Sequence, residues 1–318
     1  MSSSIEAGVV VTIDWRRGAV ALLRVSGALL LWWLPASAWG ASCCGGASTS
    51  DVFVLPKWQH WLVGAQLVEQ VDVDQRDARG QRVGADWRNL ETRLIAGAGA
   101  RLASRLQAGL ALPVVVRSVQ AGGQRSFGGG PGDLATQFRV ELLDEETCYA
   151  RPFHTLNWND LKPSIHLVVR QLFPSGRSTA HSADGLGADV TGRGVWSSEA
   201  GLDVTKVWGI IGQSLAASGA WERSIPAEPV DASWRSSIAA SLLYYPAYQR
   251  FVGVNWSWER SARSQAPDAV VHAVGLTGSG IWPERKLWVR GGLSLPGLVG
   301  GRATPVGVRL SVFVGWLR

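Results

Sequence analysis

The sequence has little of what metalloproteins and disulfide-rich proteins rely on. Its 318 residues include 3 cysteines, 5 histidines and 1 methionine, and charged residues make up 18%. A globular chain averages about a quarter charged residues, so the polar surface of an ordinary soluble domain is reduced here. Cys43, Cys44 and Cys148 do not have the spacing of a zinc site, which needs about four clustered ligands. We predict no metal site and no cofactor.

Long apolar runs are also scarce, with one exception near the N-terminus. Arg16 and Arg17 precede two apolar stretches that are separated by Arg24, and small residues follow at 36–40. A basic start, an apolar middle and a small-residue end are typical of a secretory signal peptide. A membrane-anchor helix is the alternative, but Arg24 interrupts the run before it reaches about 18 residues.

We therefore predict a signal peptide over residues 1–40, a polar leader over 41–57 and the folded part over 58–318. Cys43 follows the predicted cleavage site, but Gly40 stands where a lipoprotein signal has leucine. Whether Cys43 carries a lipid stays open.

The sequence does contain much glycine and tryptophan, 38 and 17 residues respectively, and its mean hydropathy is +0.07. Its last segment shows the underlying pattern most clearly. Every second residue from Val306 to Trp316 is apolar, whereas Arg309 and small residues occupy most of the alternate positions. Strict two-residue alternation predicts a strand with one apolar face. The length is about the 9–11 residues that a tilted strand needs to cross a bilayer.

Similar alternation recurs along the chain in about twelve segments. An even number is what bacterial single-chain barrels have, and their short and long connections alternate. The predicted connections follow that rule except at residues 143–160, which either fill the lumen or belong to a misassigned region. Tryptophans near strand ends, such as Trp196, Trp234 and Trp316, indicate an interfacial belt. The fold class predicted is an all-β, transmembrane, antiparallel up-and-down β-barrel of about 12 strands.

Two local predictions accompany this assignment. The glycine-rich residues 120–132 are expected to form a flexible loop, and the run from Gly128 to Gly132 lacks the lysine of a phosphate-binding loop. The last two strands are expected over 287–295 and 306–317, with a loop between them. A secreted soluble β-protein remains the alternative fold.

Charged residues in the inward phase are the candidate functional residues. The lumen-lining set predicted from the alternation is Arg93, Arg101, Arg105, Arg139, Lys162, His166, Arg170, Arg235, Arg290 and Arg309. The acidic residues in the same phase are Glu91, Asp133, Glu141, Glu199 and Asp203. The cationic excess favours anions in a water-filled pore. The alternative is an ion-paired structural network with no role in transport.

No catalytic residues are predicted. His166 lies near Ser164 in the inward phase, and a hydrolase would need serine, base and orienting group within hydrogen-bond reach, which spacing alone does not establish. The sequence pI is about 9.6. The arginines alternate with apolar residues and do not form one basic run, so nucleic acid is not an expected partner.

The chain resembles an outer-membrane β-barrel transporter family, the outer-membrane proteins grouped with the meta-pathway of phenol degradation. The resemblance is carried by the signal peptide, the strand opening at 132–134, the strand end at 174–176 and the closing strand Val306 to Trp316. It implies a channel that passes small, aromatic or hydrophobic compounds. The terminal Leu317-Arg318 departs from the pattern, because barrel-assembly signals usually end in Phe or Trp.

The expected function is passive passage of small solutes across the bacterial outer membrane, after export with a cleaved signal peptide. The expected partners are outer-membrane lipid and a small-molecule solute, and the oligomeric state stays open. A lipid hydrolase and a non-conducting barrel that presents its loops to a partner are the alternatives.

Overall fold

The computed structural model describes residues 53–56, 59–83, 87–143, 162–208, 210–224, 233–247, 249–263 and 268–318. All of them belong to one compact unit, Trp39–Arg318. The predicted signal peptide, all of the leader except residues 53–56, the three cysteines and the connection 144–161 lie outside the described residues. Across the described ranges, no helix has both the length and the apolar character needed to span a membrane.

The described chain is built almost entirely from strands. They are β1 (Trp61–Arg76), β2 (Arg82–Val83), β3 (Trp87–Ala103), β4 (Leu106–Ala121), β5 (Gln124–Pro131), β6 (Leu134–Leu143), β7 (Ser164–Phe173), β8 (Val195–Trp208), β9 (Ile211–Ser224), β10 (Ser233–Ala247), β11 (Arg250–Arg263), β12 (Ala269–Trp282), β13 (Leu287–Arg302) and β14 (Thr304–Leu317). Short 3-10 turns occur at Thr179–His181 and Pro283–Arg285.

The sheet closes on itself. Each barrel strand pairs antiparallel with the next, and β1 pairs with β14 from Leu62↔Leu317 to Arg76↔Thr304. Strands β2 and β5 lie off the ring, so the cylinder has 12 strands. The predicted fold class is therefore confirmed, and closure leaves no unpaired sheet edge around the ring.

The two ends of the cylinder differ in their connections. We call the end where the chain enters at Trp61 and leaves at Leu317 the base, and the opposite end the top. Tight connections at 104–105, 209–210, 248–249 and 283–286 join strands at the base. Longer connections at the top include residues 77–86 and 174–194. The connection 144–163 also joins strands at the base. It is the one long connection among the short ones there, as the sequence predicted.

The glycine-rich segment is a strand, so the prediction of a flexible loop over 120–132 is wrong. Strand β4 continues to Ala121, and β5 returns from Gln124 to Pro131 as its hairpin partner. Strand β6 then pairs with the first half of β4, so β5 and β6 are one strand interrupted at Gly132 and Asp133. The hairpin projects past the ring at the top because β7 pairs with β6 and β8 but not with β5.

The predicted loop between the last two strands is also wrong. Strand β13 continues to Arg302, and Ala303 alone, at φ 47°, turns the chain into β14. The extra residues are absorbed within β13, whose register against β12 jumps from Val271↔Gly301 to Ala273↔Pro296. Arg76 of β1 donates from Nε to the Gly297 carbonyl at 2.8 Å and ties this bulge to the wall.

The two faces of the wall follow the two phases of the sequence. Large apolar side chains stand exposed on the outer face, among them Val63, Leu94, Leu112, Phe138, Leu202, Leu242, Leu276 and Val312. Exposed tryptophans stand towards both ends, Trp316 at the base and Trp196, Trp221 and Trp234 at the top. An apolar belt flanked by aromatic residues is the surface that lipid requires of a transmembrane barrel.

Candidate functional site in the barrel lumen

The upper and middle lumen is hollow. The side chains of Arg93 and Glu259 point inwards, yet each is 47% exposed. Arg309 on the inner face of β14 is exposed too. A side chain inside a closed wall is accessible only where the interior leaves room for water. In contrast, Leu62 and Leu317 near the base are 0% and 1% exposed, so the interior narrows there.

One wall of the lumen carries arginines around a single carboxylate. Glu91 of β3 binds Arg93 through Oε1 and Arg117 of β4 through Oε2, where Nε of Arg117 donates at 2.9 Å. Glu91 is itself only 4% exposed. Both of its oxygens are thus engaged by cations of the same wall.

Arg309 stands beside this group with a different kind of partner. Its Nε and Nη2 donate to Oε1 of Gln70 at 2.9 and 2.7 Å. Gln70 donates in turn to both oxygens of Asp72, at 2.8 and 3.1 Å. Asn89 donates to Asp72 at 3.0 Å. The inner faces of β14, β1 and β3 are therefore linked by a continuous hydrogen-bond relay.

The opposite wall gathers carboxylates around Arg235 of β10. Arg235 lies 3.4 Å from Glu199, 3.9 Å from Glu222 and 4.0 Å from Glu259. Glu222 also accepts hydrogen bonds from Ser233 at 2.6 Å and pairs with Arg193 at 2.7 Å. The charges of both walls are thus largely arranged as short-range pairs.

A third group is buried between these walls. Nη2 of Arg139 lies 2.8 Å from Oδ2 of Asp203 and 3.0 Å from Nδ1 of His166. Nε2 of His166 is 4.0 Å from Glu141. The imidazole is held between the Arg139 guanidinium and the Glu141 carboxylate.

The base of the lumen is closed by an apolar floor, which we define as Phe53, Leu55, Trp288 and Phe313. Phe53 meets Phe313 edge-on at a centroid distance of 5.5 Å, and Trp288 meets Phe313 at 5.0 Å. Gly97 of β3 contacts the Phe53 ring so closely that a Cβ at that position would overlap it. Phe53 and Leu55 are 6% and 2% exposed. The segment before β1 therefore enters the lumen and fills it at the base.

Polar contacts anchor that segment. The Leu55 backbone N–H donates to Oε1 of Gln107 at 3.1 Å. Arg101 donates from Nε to the Gln59 carbonyl at 3.1 Å and from Nη2 to the Pro56 carbonyl at 3.4 Å. Arg101, predicted to line the lumen, thus holds the segment that enters it.

The connection 174–194 folds over the β5 hairpin at the top. Asp133 receives hydrogen bonds from the Gly176 N–H at 3.0 Å and the Arg193 N–H at 2.7 Å, which pin both ends of the connection. Within it, the Ser182 hydroxyl and the Ala183 N–H donate to Asp189 and hold the pKa of that carboxyl well below its ordinary value. The Ala188 N–H, at 2.6 Å, likewise lowers the pKa of Asp184.

The structure places the other predicted lumen residues as follows. Arg170 faces Glu199 across β7 and β8, and Arg290 lies beside Phe313 on the inner face of β13, just above the floor. Lys162 lies two residues before the start of β7, and its carbonyl accepts a hydrogen bond from Lys206 at 3.0 Å. Arg105 differs from the prediction: it lies in the turn between β3 and β4 and is exposed.

Four inner-face residues that matter were not in the predicted set, namely Asp72, Arg117, Glu222 and Glu259. Extending the alternation of each strand to its last residue would have found them. They change the electrostatic expectation, because three of the four are acidic. The cationic excess predicted for the lumen is reduced accordingly.

Phe53 and Leu55 belong to the predicted polar leader. The sequence signal for their buried position is the apolar run Val52 to Leu55, which is too short to be a membrane strand. Among the described residues there is no group of three or more histidine, cysteine, aspartate or glutamate side chains that could hold a metal ion.

An apolar groove of about 940 Å³ lies on the outer face and is lined by residues of β8 to β13. Leu215, Leu242, Trp256 and Leu276 line it, and all four belong to the outward phase. It is a feature of the lipid-facing wall and lies outside the lumen.

Comparison with known proteins gives matches by structure. No protein-family model matches the sequence, and no curated protein is significantly similar to it. An outer membrane channel from Pseudomonas putida F1 superposes with a TM-score of 0.61 at 14% identity, covering 86% of this chain and 100% of that one. The β domain of the Bordetella autotransporter Brka gives a TM-score of 0.50 at 10% identity, covering 82% and 100%. At these identities the likeness concerns the fold, which is that of outer-membrane β-barrels.

Proposed function

We propose that this chain is an outer-membrane channel for the passive passage of small solutes. The observation that carries the proposal is the water-accessible, charged interior within a wall whose outer face is apolar. Water-exposed arginine and glutamate side chains inside a hollow barrel are typical of pores. A barrel that serves only as a membrane anchor does not require them.

The proposed orientation places the base in the periplasm and the top outside the cell. Bacterial barrels have short periplasmic turns and longer outer loops, and the tight turns of this chain lie at the base. The floor would then separate an outer vestibule from the periplasm. Solute would pass the charged walls first and the aromatic floor last.

The substrates proposed are small organic compounds, aromatic ones included. The floor offers Phe53, Trp288 and Phe313 as an apolar contact at the narrow end. The charged side chains above the floor are largely paired, so the lumen wall there is polar and hydrated but has no large net electrostatic field. A compound with a polar part and an aromatic part finds a complementary surface for each: the charged walls for the polar part and the floor for the aromatic part.

A second candidate function is a barrel that does not conduct. The observation favouring it is the floor itself, because Phe53 and Leu55 are buried across the base of the lumen. This alternative differs from the channel in one measurable property. A barrel with a closed floor passes no ions or solute, even though its top is open.

Single-channel recording in planar bilayers tests the proposal. We expect discrete conductance steps from the purified chain, with larger steps from a Phe53→Ala/Leu55→Ala variant that thins the floor. Liposome swelling with small aromatic solutes gives a second readout. If neither chain conducts ions nor passes solute, while both migrate as folded barrels, the channel proposal is wrong.

A further inference from the structure

Arg309 presents part of its guanidinium to the water space of the lumen. Gln70 lies directly opposite it in the β1–β14 register. Nε and Nη2 of Arg309 both donate to Oε1 of Gln70, so the plane of the guanidinium is held by two hydrogen bonds to one atom. The five N–H donors of arginine form a rigid fork. Nη1 of Arg309 makes no hydrogen bond to the described part of the chain.

The amide that holds Arg309 is itself fixed. Its Nε2 donates to both oxygens of Asp72, so its Oε1 must point to Arg309. Asp72 is 2% exposed and is bound from the other side by Asn89, which is 9% exposed. A buried carboxylate thus sets the orientation of a water-exposed guanidinium through one glutamine. Such preorganisation reduces the ordering cost that a flexible arginine would incur on binding.

No ion pair within the described part of the chain neutralises Arg309. The adjacent carboxylate, Glu91, has Oε1 bound to Arg93 and Oε2 bound to Arg117. Asp72 is engaged by Gln70 and Asn89. The inner wall therefore carries a positive charge whose partner in the structure is a neutral amide, although acidic side chains stand nearby.

We propose that Arg309 is an anion-binding residue of the lumen and that it binds the carboxylate of a small organic acid. The inference deepens the proposed function and rests on it, because a solute must enter the lumen to reach this residue. A carboxylate has two coplanar oxygens that match an arginine fork. Phe313 lies four residues nearer the base on the same face, about 13 Å along the strand, where the floor can receive an apolar body.

Benzoate is the probe, and benzamide is its neutral control of similar shape. Isothermal titration of the detergent-folded chain at low salt measures both affinities, because salt would screen the interaction. We expect benzoate to bind at least tenfold more tightly than benzamide. Arg309→Gln should weaken benzoate binding at least tenfold and leave benzamide unchanged.

Arg235→Gln is the matched control. Arg235 also points into the lumen, but it stands on the opposite wall among Glu199, Glu222 and Glu259, and its loss should change benzoate affinity less than twofold. Asp72→Ala tests the relay: it keeps Arg309 but removes both acceptor oxygens that hold Gln70, and an intermediate loss of affinity is expected. Heat-modified electrophoretic mobility verifies that each variant is folded.

The inference is overturned if the folded chain does not bind benzoate, if it binds benzamide equally well, or if Arg309→Gln binds benzoate as tightly as the original chain. Failure of the proposed function looks different. A chain that binds benzoate through Arg309 but passes no current has the site without the channel. A chain that conducts, but whose benzoate affinity is unchanged by Arg309→Gln, is a channel without the proposed binding site.

Discussion

Nη2 of Arg139 donates a hydrogen bond to Oδ2 of Asp203 at 2.8 Å, and the two side chains are only 4% and 3% exposed inside the barrel. They come from β6 and β8, which are separated by β7. The pair therefore bridges strands that do not hydrogen-bond to each other. Removing one member of a buried pair leaves the other charge poorly compensated.

Asp203→Ala should destabilise the barrel by about 3–5 kcal/mol, the usual cost of breaking a buried pair. Urea unfolding in lipid vesicles, followed by tryptophan fluorescence, measures the change. Glu199→Gln is the control, because Glu199 is 19% exposed and lies 3.4 Å from Arg235; about 1 kcal/mol or less is expected there. Equal losses in both variants would show that Arg139–Asp203 has no special structural role.

Phe53→Ala should open the base of the lumen. The ring fills space between β3 and β14, and its removal should raise single-channel conductance and the rate of liposome swelling. Phe138→Ala removes the same side chain from the outer face, where Phe138 is 47% exposed, and should leave conductance unchanged. If both variants conduct as the original chain does, Phe53 does not close the lumen.

Gly97→Val should act on the same floor from the wall side. A Cβ at Gly97 overlaps both the Phe53 ring and the Leu110 backbone carbonyl of β4, so the larger side chain must displace Phe53, raise conductance and strain the β3–β4 pairing. The two changes should not add in conductance: in a Phe53→Ala background Gly97→Val meets no ring, and its further effect should be a loss of folding stability from the Leu110 contact. If the two substitutions change conductance additively, the Phe53 ring does not lie against Gly97 in the folded protein.

A matched pair of substitutions tests which face meets lipid. Leu242 is 51% exposed on the outer face, whereas its neighbour Ser241 has the opposite phase. Leu242→Arg should cost up to about 2–4 kcal/mol of folding free energy in a bilayer, and Ser241→Arg much less. The folded fraction in vesicles, measured by heat-modified electrophoretic mobility, compares the two variants. If Ser241→Arg is the more destabilising of the two, the assignment of the lipid-facing and lumen-facing sides is wrong.

The connection 174–194 should lose order in acid. Hydrogen bonds from Ser182 and Ala183 hold the pKa of Asp189 below its ordinary value of 3.8. Because the folded pKa is the lower one, the stabilisation is complete above about pH 4 and is lost as the pH falls further. Amide hydrogen exchange, corrected for intrinsic rates at pH 6 and pH 3, should show lost protection in this connection. Asp189→Asn should show the loss already at pH 6.

Alternation was enough to find twelve strands because lipid on one side and water on the other impose opposite demands on neighbouring residues. It failed at Gln124 to Pro131, where glycine composition indicated a loop. There the segment is a strand because it pairs with β4 beyond the ring and packs beneath the connection 174–194. At 295–302 it failed again, because bulged residues do not keep the two-residue period.

The sequence by itself determined which residues face lipid, because the period of a strand assigns side chains to faces regardless of their neighbours. Only the tertiary structure decided how the charges pair and where the lumen closes. Arg139 and Asp203 are 64 residues apart in the chain, and the distance from Arg309 to Gln70 is 239 residues. Barrel closure and strand register bring such groups together, and both are global properties that no local pattern contains.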